Sequence, residues 1–158
     1  MTVWRLILHH QDPGVALEWT RSNKRIAVAW GYIGDIKEHN YLSSKDIGAA
    51  IRCNYPELRN SGLGGPSLWN FYQEMQRGDL VIVAKGSSGK SPNRCCVVRI
   101  VGDYEYRTQD SKKLHDYDHQ RKITFTDLDA DKLWEEVGGA ATGESIRRAV
   151  IRCGNSHK

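Results

Sequence analysis

The segment Ala29-Trp30-Gly31-Tyr32-Ile33-Gly34-Asp35 sets two large aromatic rings and a carboxylate in one turn-rich stretch. Trp and Tyr combine a flat apolar face with a polar handle, which suits a half-wet site. A nucleobase taken out of its stack loses a few kcal/mol, and each aromatic ring stacked on it returns roughly 1–3 kcal/mol. Trp30 is therefore the first candidate for the wall of a base-binding pocket. It ends an apolar run and is followed at once by Gly31, which could place its ring at the mouth of a cavity. Strand phase instead groups it with Ile26 and Val28 as core, and both readings stay open. Tyr32, Asp35, Trp69, Tyr104 and Tyr106 are the next pocket candidates. Asp35 could accept a hydrogen bond from an amino group on a base edge, or cap a turn. Trp4 and Trp134 read as core.

Lys85, Ser87, Ser88, Lys90 and Arg94 lie in a segment that holds no acid (KGSSGKSPNR, 85–94) and are candidates for phosphate contact. The cations supply charge and the Gly-rich backbone supplies N–H donors. The plainer alternative is a solvated hairpin loop. The same stretch fits a relaxed nucleotide-binding loop, Ala84 to Ser91. A true one must open a helix, whereas Cys95–Val101 reads as strand, so nucleotide hydrolysis is not expected. His115-Asp116-Tyr117-Asp118-His119 has two His four apart, but no third ligand is evident and the stretch reads as a polar loop. The four cysteines (53, 95, 96, 153) form no C-x-x-C pair and read as free thiols. No metal or other cofactor is expected.

The elements that must position these residues follow from periodicity. Val3–Leu8, Arg25–Trp30, Leu80–Ala84, Cys95–Val101 (continuing toward Tyr106) and Gln120–Phe125 read as strands. Helices are expected over 14–22, after Ser43 or Ser44, after a Ser67 cap, after an Asp129 cap, and over about 143–152. Leu68, Phe71, Tyr72 and Met75 share one helical face. Strands and helices do not alternate regularly, which argues against a doubly wound parallel sheet and for an α+β fold.

The 158 residues fit one domain, expected over 1–152 with a polar tail at 153–158. Apolar residues at 39% and charged ones at 27% are ordinary for a soluble protein. No apolar run spans a bilayer, and no membrane partner is expected. The N-terminus lacks the pattern of a secretory signal, so a cytoplasmic location is expected. A net charge of +4 weakly favours a polyanionic partner.

Several clusters resemble the EVE group of PUA-like domains, found in modification-dependent restriction systems. They are the 29–35 segment, Arg77-Gly78-Asp79-Leu80-Val81, Gly102-Asp103-Tyr104-Glu105-Tyr106, and His119-Gln120-Arg121-Lys122-Ile123. Their order and spacing match over roughly residues 3–135. The resemblance implies a PUA-like mixed β pseudo-barrel with helices packed outside. It also implies a non-enzymatic module that holds a flipped or unpaired modified base, of methylated cytosine or adenine type, in DNA or RNA. In such relatives a motor or nuclease usually follows the reader; here the expectation is a separate nuclease or motor effector acting in trans, or one that lies outside this sequence. Some ASCH-type relatives instead suggest an enzyme acting on nucleosides or RNA, for which Lys85, Asp35 and Asp103 are the first residues to consider. A small-molecule sensor using the same pocket is a third reading.

Overall fold

The computed structural model describes residues 1–9, 11–58, 64–87, 90–140 and 148–154, with the side chains of 87 and 90–92 left aside. The fold is α+β. Among the described residues, six strands form one mixed sheet: β1 (Val3–Ile7), β2 (Arg25–Val28), β3 (Leu80–Ser87), β4 (Lys90–Tyr106), β5 (His119–Phe125) and β6 (Val150–Arg152). Their order across the sheet is β2-β5-β4-β3-β1-β6. Only β1 and β3 run parallel; the other neighbours are antiparallel. The helices are α1 (Pro13–Asn23), α2 (Ile36–His39), α3 (Ser44–Asn54), α4 (Gly64–Trp69) and α5 (Ala130–Glu136).

Local chemistry explains most boundaries. Ser43 caps α3 by accepting from the Asp46 N–H, and Asp129 caps α5 by accepting from the Lys132 N–H. Ser67 does not cap a helix. It lies inside α4, buried, where its hydroxyl accepts from the Val150 N–H at 3.2 Å. The expected C-terminal helix is also corrected. Val150–Arg152 is a strand paired antiparallel with β1, while residues 141–147 lie outside the described residues. An edge strand of three residues carries too little pattern to be separated from a helix end by periodicity.

The run Leu80–Ala84 is apolar throughout because β3 is central and covered on both faces. Val81 and Val83 join the main core with Trp4, Leu6, Ile26, Leu68, Phe71 and Ile100. Leu80 and Ile82 face a second cluster with Val3, Val97 and Ala130, covered by Leu133 and Trp134 of α5.

The sheet curls strongly. Ile7 is level with Ala84 and through it with Arg94; Val28 is level with His119 and through it with Tyr106. Along a straight strand that interval on β4 would span about 40 Å, yet Ile7 and Val28 line one cavity. A break in register between Ile100 and Tyr104 marks an irregularity of the bulge type, which bends a strand. There Gly102 packs on β5, where an added Cβ would sit 2.9 Å from the Lys122 Cβ.

The Gly78-Asp79 turn ties the N-terminus to the sheet. Gly78 has φ +92°, a conformation glycine adopts without strain. The buried Asp79 carboxylate accepts from the Thr2 N–H (3.0 Å), the Trp4 indole Nε1–H (3.0 Å) and the Gln76 N–H (2.9 Å). Asp79→Ala strands these donors and is expected to lower stability by about 3 kcal/mol, read from the urea midpoint. Asp79→Asn should recover part of the loss, because its amide keeps one acceptor oxygen. A midpoint unchanged in Asp79→Ala would refute the tie.

Candidate functional site

A cavity of about 420 Å³ opens where β1 and β2 end. Its inner surface is Ile7, Val28, Ala29 and Ala149, and its rings are Trp30, Tyr32, Tyr55, His9 and Tyr117. Tyr32 stacks on Tyr55 with ring centroids 5.4 Å apart, and His9 on Tyr117 at 4.5 Å. The polar lining among the described residues is Gln11, Glu57, His115 and Asp116, with no Lys or Arg. A mostly apolar hollow with a few convergent polar groups is the usual form of a small-ligand site.

Trp30 both lines this cavity and packs on the main core. The strand ends at Val28, and Trp30 has φ +70° and ψ +37°, so strand phase does not reach it. Its ring lies over Gly64, where an added Cβ would sit 2.7 Å from it. A bulky residue in the left-handed region is uncommon and costs of order 1–3 kcal/mol. Asp116, also on the cavity, has φ +81°. Of the four described non-glycine residues at positive φ, Lys24 and Asn40 close α1 and α2. The two that do not close an α-helix, Trp30 and Asp116, both line the cavity.

The strain is held by a dense set of hydrogen bonds. His119, fully buried at the start of β5, donates from Nε2 to the Trp30 carbonyl (2.9 Å) and accepts at Nδ1 from the Tyr104 hydroxyl (2.7 Å). The Tyr104 hydroxyl in turn accepts from the Ile36 N–H at 3.2 Å. Burial pushes the His119 pKa down to about 4, so the ring is neutral at pH 7 and its two nitrogens divide donor and acceptor roles. The Tyr106 hydroxyl donates to the Gly31 carbonyl (2.7 Å), and the Gly31 N–H donates to the Asp116 carbonyl (2.9 Å). Asp116 Oδ1 accepts from the Tyr55 hydroxyl (2.6 Å) and the Tyr32 N–H (3.1 Å). Burial raises the Asp116 carboxyl above its ordinary range, against the opposing pull of these bonds. Gly31 has no room for a side chain: a Cβ there would lie 2.2 Å from Asp118 Oδ2.

The structure brings Trp30 and Tyr32 together in the cavity and places the other pocket candidates elsewhere. Tyr104 and Tyr106 stand behind the Trp30 turn and brace it through their hydroxyls. Asp35 caps α2 by accepting from the Lys37 N–H. Trp69 donates to Glu74 Oε1 at 3.1 Å and packs at an angle against Tyr72.

Among the phosphate candidates, Lys85 sits half-buried opposite Asn93. Arg94 pairs with Asp131 at 3.4 Å and lies over the Trp134 ring at 4.2 Å, on the α5 face. The side chains of Ser87 and Lys90 and all of Ser88 lie outside the described residues. The segment joins two antiparallel strands, as a hairpin does and a nucleotide-binding loop does not. Asp103 is exposed and pairs with Arg77 in a two-pronged contact at 3.0 and 3.1 Å. Lys85, Asp35 and Asp103, the trio of the enzymatic reading, therefore stand on three different elements.

The cavity uses residues that sequence reasoning did not assign to a pocket. Tyr55 follows α3 at the head of a stretch that reads only as loop. His9 is buried just past β1, with Nδ1 accepting from the Gln11 and Asp12 N–H groups. The polar 107–118 connection turns back so that His115, Asp116 and Tyr117 form a wall. Its one sequence signal was the dense His/Asp/Tyr spacing, which first suggests metal. Among the described residues, no three His, Cys, Asp or Glu side chains gather as metal ligands. No helix among them is long and apolar enough to cross a membrane.

A protein-family model described as "Domain of unknown function (DUF8426)" matches residues 4–146. The chain belongs to that family. No curated protein matches it.

Proposed function

We propose that this DUF8426 member is a binding module that holds a flipped or unpaired modified base of DNA or RNA in the Trp30 cavity. The carrying observation is a cavity walled by Trp30, Tyr32, Tyr55 and Tyr117 whose first wall is held in a strained turn. Strain maintained by this many hydrogen bonds fits a preformed site. The rings supply sequence-tolerant stacking, and the Asp116 and Glu57 carboxylates supply acceptors for the amino group of a cytosine- or adenine-type base.

A PUA-like pseudo-barrel of the EVE type is the fold we infer for it. The curl of the sheet supports this, since β2 and β6 are its two edges and Val28 and Ala149 at their ends line one cavity. The reading leaves bond chemistry to a nuclease or motor effector.

Fluorescence anisotropy with labelled oligonucleotides tests the proposal. Strands containing 5-methylcytosine or N6-methyladenine are compared with unmodified ones. One modified strand should bind more tightly, and Trp30→Ala should weaken it about ten- to a hundredfold. Equal, weak binding to all strands, unmoved by Trp30→Ala, would refute the reading.

A further inference from the structure

The cavity lining and the 3-10 turn beside it differ in charge, although Asp110 is exposed just before that turn. The described lining includes the acids Asp116 and Glu57 and no Lys or Arg. A carboxylate-lined hollow repels a phosphate, so an anionic group on the ligand has to stay outside. The wall made by residues 115–117 belongs to the connection between β4 and β5, and Lys112 and Lys113 are exposed on that same connection. They sit on a short 3-10 turn, Lys112–Leu114, immediately before the cavity wall. Leu114 is buried and fixes the turn to the core. The His115 N–H donates to the Lys112 carbonyl (3.3 Å), and the Tyr117 N–H to the Leu114 carbonyl (3.0 Å).

The connection is closed at its base. The Arg107 N–H donates to the Asp118 carbonyl (2.8 Å), Gln109 N–H to Asp118 Oδ1 (2.9 Å), and Gln109 Nε2 to the Tyr117 carbonyl (3.0 Å). The two lysines are therefore carried by an ordered backbone one turn away from the cavity wall. A preorganised backbone spares a ligand the cost of ordering it.

The geometry points to Lys112 and Lys113 as the phosphate grip of this site, which takes a base presented on a phosphodiester chain and not a free nucleoside as its ligand. This rests on the base-binding reading above and relocates the backbone contact from the β3–β4 hairpin to the β4–β5 connection. Arg94 of the hairpin is engaged by Asp131 and Trp134 on the α5 face. The lysines are point charges on flexible stems, suited to a backbone whose sequence varies.

The test compares the wild-type chain with Lys112→Ala/Lys113→Ala and with Trp30→Ala. Anisotropy measures single-stranded DNA and RNA nonamers, unmodified and with a central 5-methylcytosine or N6-methyladenine. Calorimetry measures the corresponding free nucleosides. The double variant should bind the preferred nonamer about tenfold more weakly. Its slope of log affinity against log salt should flatten by about 1.4, two single-strand phosphate contacts at about 0.7 each. Its thermal midpoint should match the wild type, and the wild type should bind the free nucleosides at least tenfold more weakly than the preferred nonamer; nucleosides bound as tightly as the nonamer would overturn the phosphate grip. If Trp30→Ala loses the nonamer while the lysine variant binds it with the wild-type affinity and salt slope, the grip is refuted and the base pocket stands. If the wild type binds none of the nonamers, both readings fall.

Discussion

Replacing Arg121 with alanine is expected to lower stability by about 3–5 kcal/mol. Arg121 is 3% exposed. Its guanidinium donates to four carbonyl contacts: Gly102 from Nε (3.2 Å) and Nη2 (3.0 Å), and Phe71 (3.1 Å) and Met75 (2.6 Å) from Nη1. Two of these carbonyls belong to the wide turn Asn70–Glu74 and the residue after it, where the Met75 N–H bonds back to the Asn70 carbonyl at 2.8 Å. Carbonyls at the end of a helix have no partner of their own. The third lies where the β4–β5 register breaks. One side chain thus joins the helical layer to the bend in β4. Alanine would leave three carbonyls without that donor and open a cavity. Lysine, with one ammonium in place of a planar fork, should restore less than half of the loss. Urea unfolding measures both variants. A loss below about 1 kcal/mol for Arg121→Ala would show that water replaces the guanidinium at little cost.

The second large effect is acid sensitivity set by His119. Burial is the chief cause of its low pKa, opposed by the hydrogen bond to Trp30 and by the Asp35 charge. In the unfolded chain the ring takes a proton near pH 6.5; in the folded protein it does so only near pH 4. Unfolding therefore takes up a proton anywhere between these values. The stability contributed by the neutral ring is fully present above about pH 6.5. It is lost progressively as pH falls to about 4, for a total on the order of 3 kcal/mol. Asp116 acts in the opposite sense. Its carboxyl is raised in the folded state, so acid favours folding as it protonates. The His119 displacement sets the window between pH 6.5 and 4, and Asp116 offsets part of its slope there. His119→Gln should lower stability at pH 7 by removing the ring between Trp30 and Tyr104, and should flatten the dependence between pH 6.5 and 4. An equally steep profile in the variant would assign the acid sensitivity to other groups. Protonation would also remove the Nδ1 acceptor for Tyr104, so the brace behind the Trp30 turn should loosen along with stability.

Much of the fold is legible in short windows. The alternation of Val3–Ile7, the caps at Ser43 and Asp129, and the apolar run Leu80–Ala84 are local signals of local structure. Trp30 and Tyr32 are legible as cavity-lining candidates for the same reason, since an aromatic-rich turn with glycines stands out in a few residues. His9, Tyr55, Asp116 and Tyr117 are not. Tyr55 lies in a stretch that signals only loop, His9 in a His pair at a strand end, and Asp116 and Tyr117 in a His/Asp/Tyr run that suggests metal; their common place in one cavity arises from long-range contacts. The hydroxyl of Tyr55 meets Asp116 across 61 residues, and His119 meets Trp30 across 89.

By itself, the sequence determined the α+β character, the places of the main strands along the chain, the aromatic Trp30–Tyr32 turn and membership of a family matched from residue 4 to 146. Those properties reside in periodicity, capping and local composition, which act over a few residues. Only the tertiary structure decided that Tyr104 and Tyr106 brace the cavity instead of lining it, that Arg94 is occupied on the opposite face, and that a polar connection supplies the fourth wall. These outcomes depend on how far β4 bends at its register break and on which buried groups must find hydrogen-bond partners. Both are properties of the closed packing and cannot be read from any one segment.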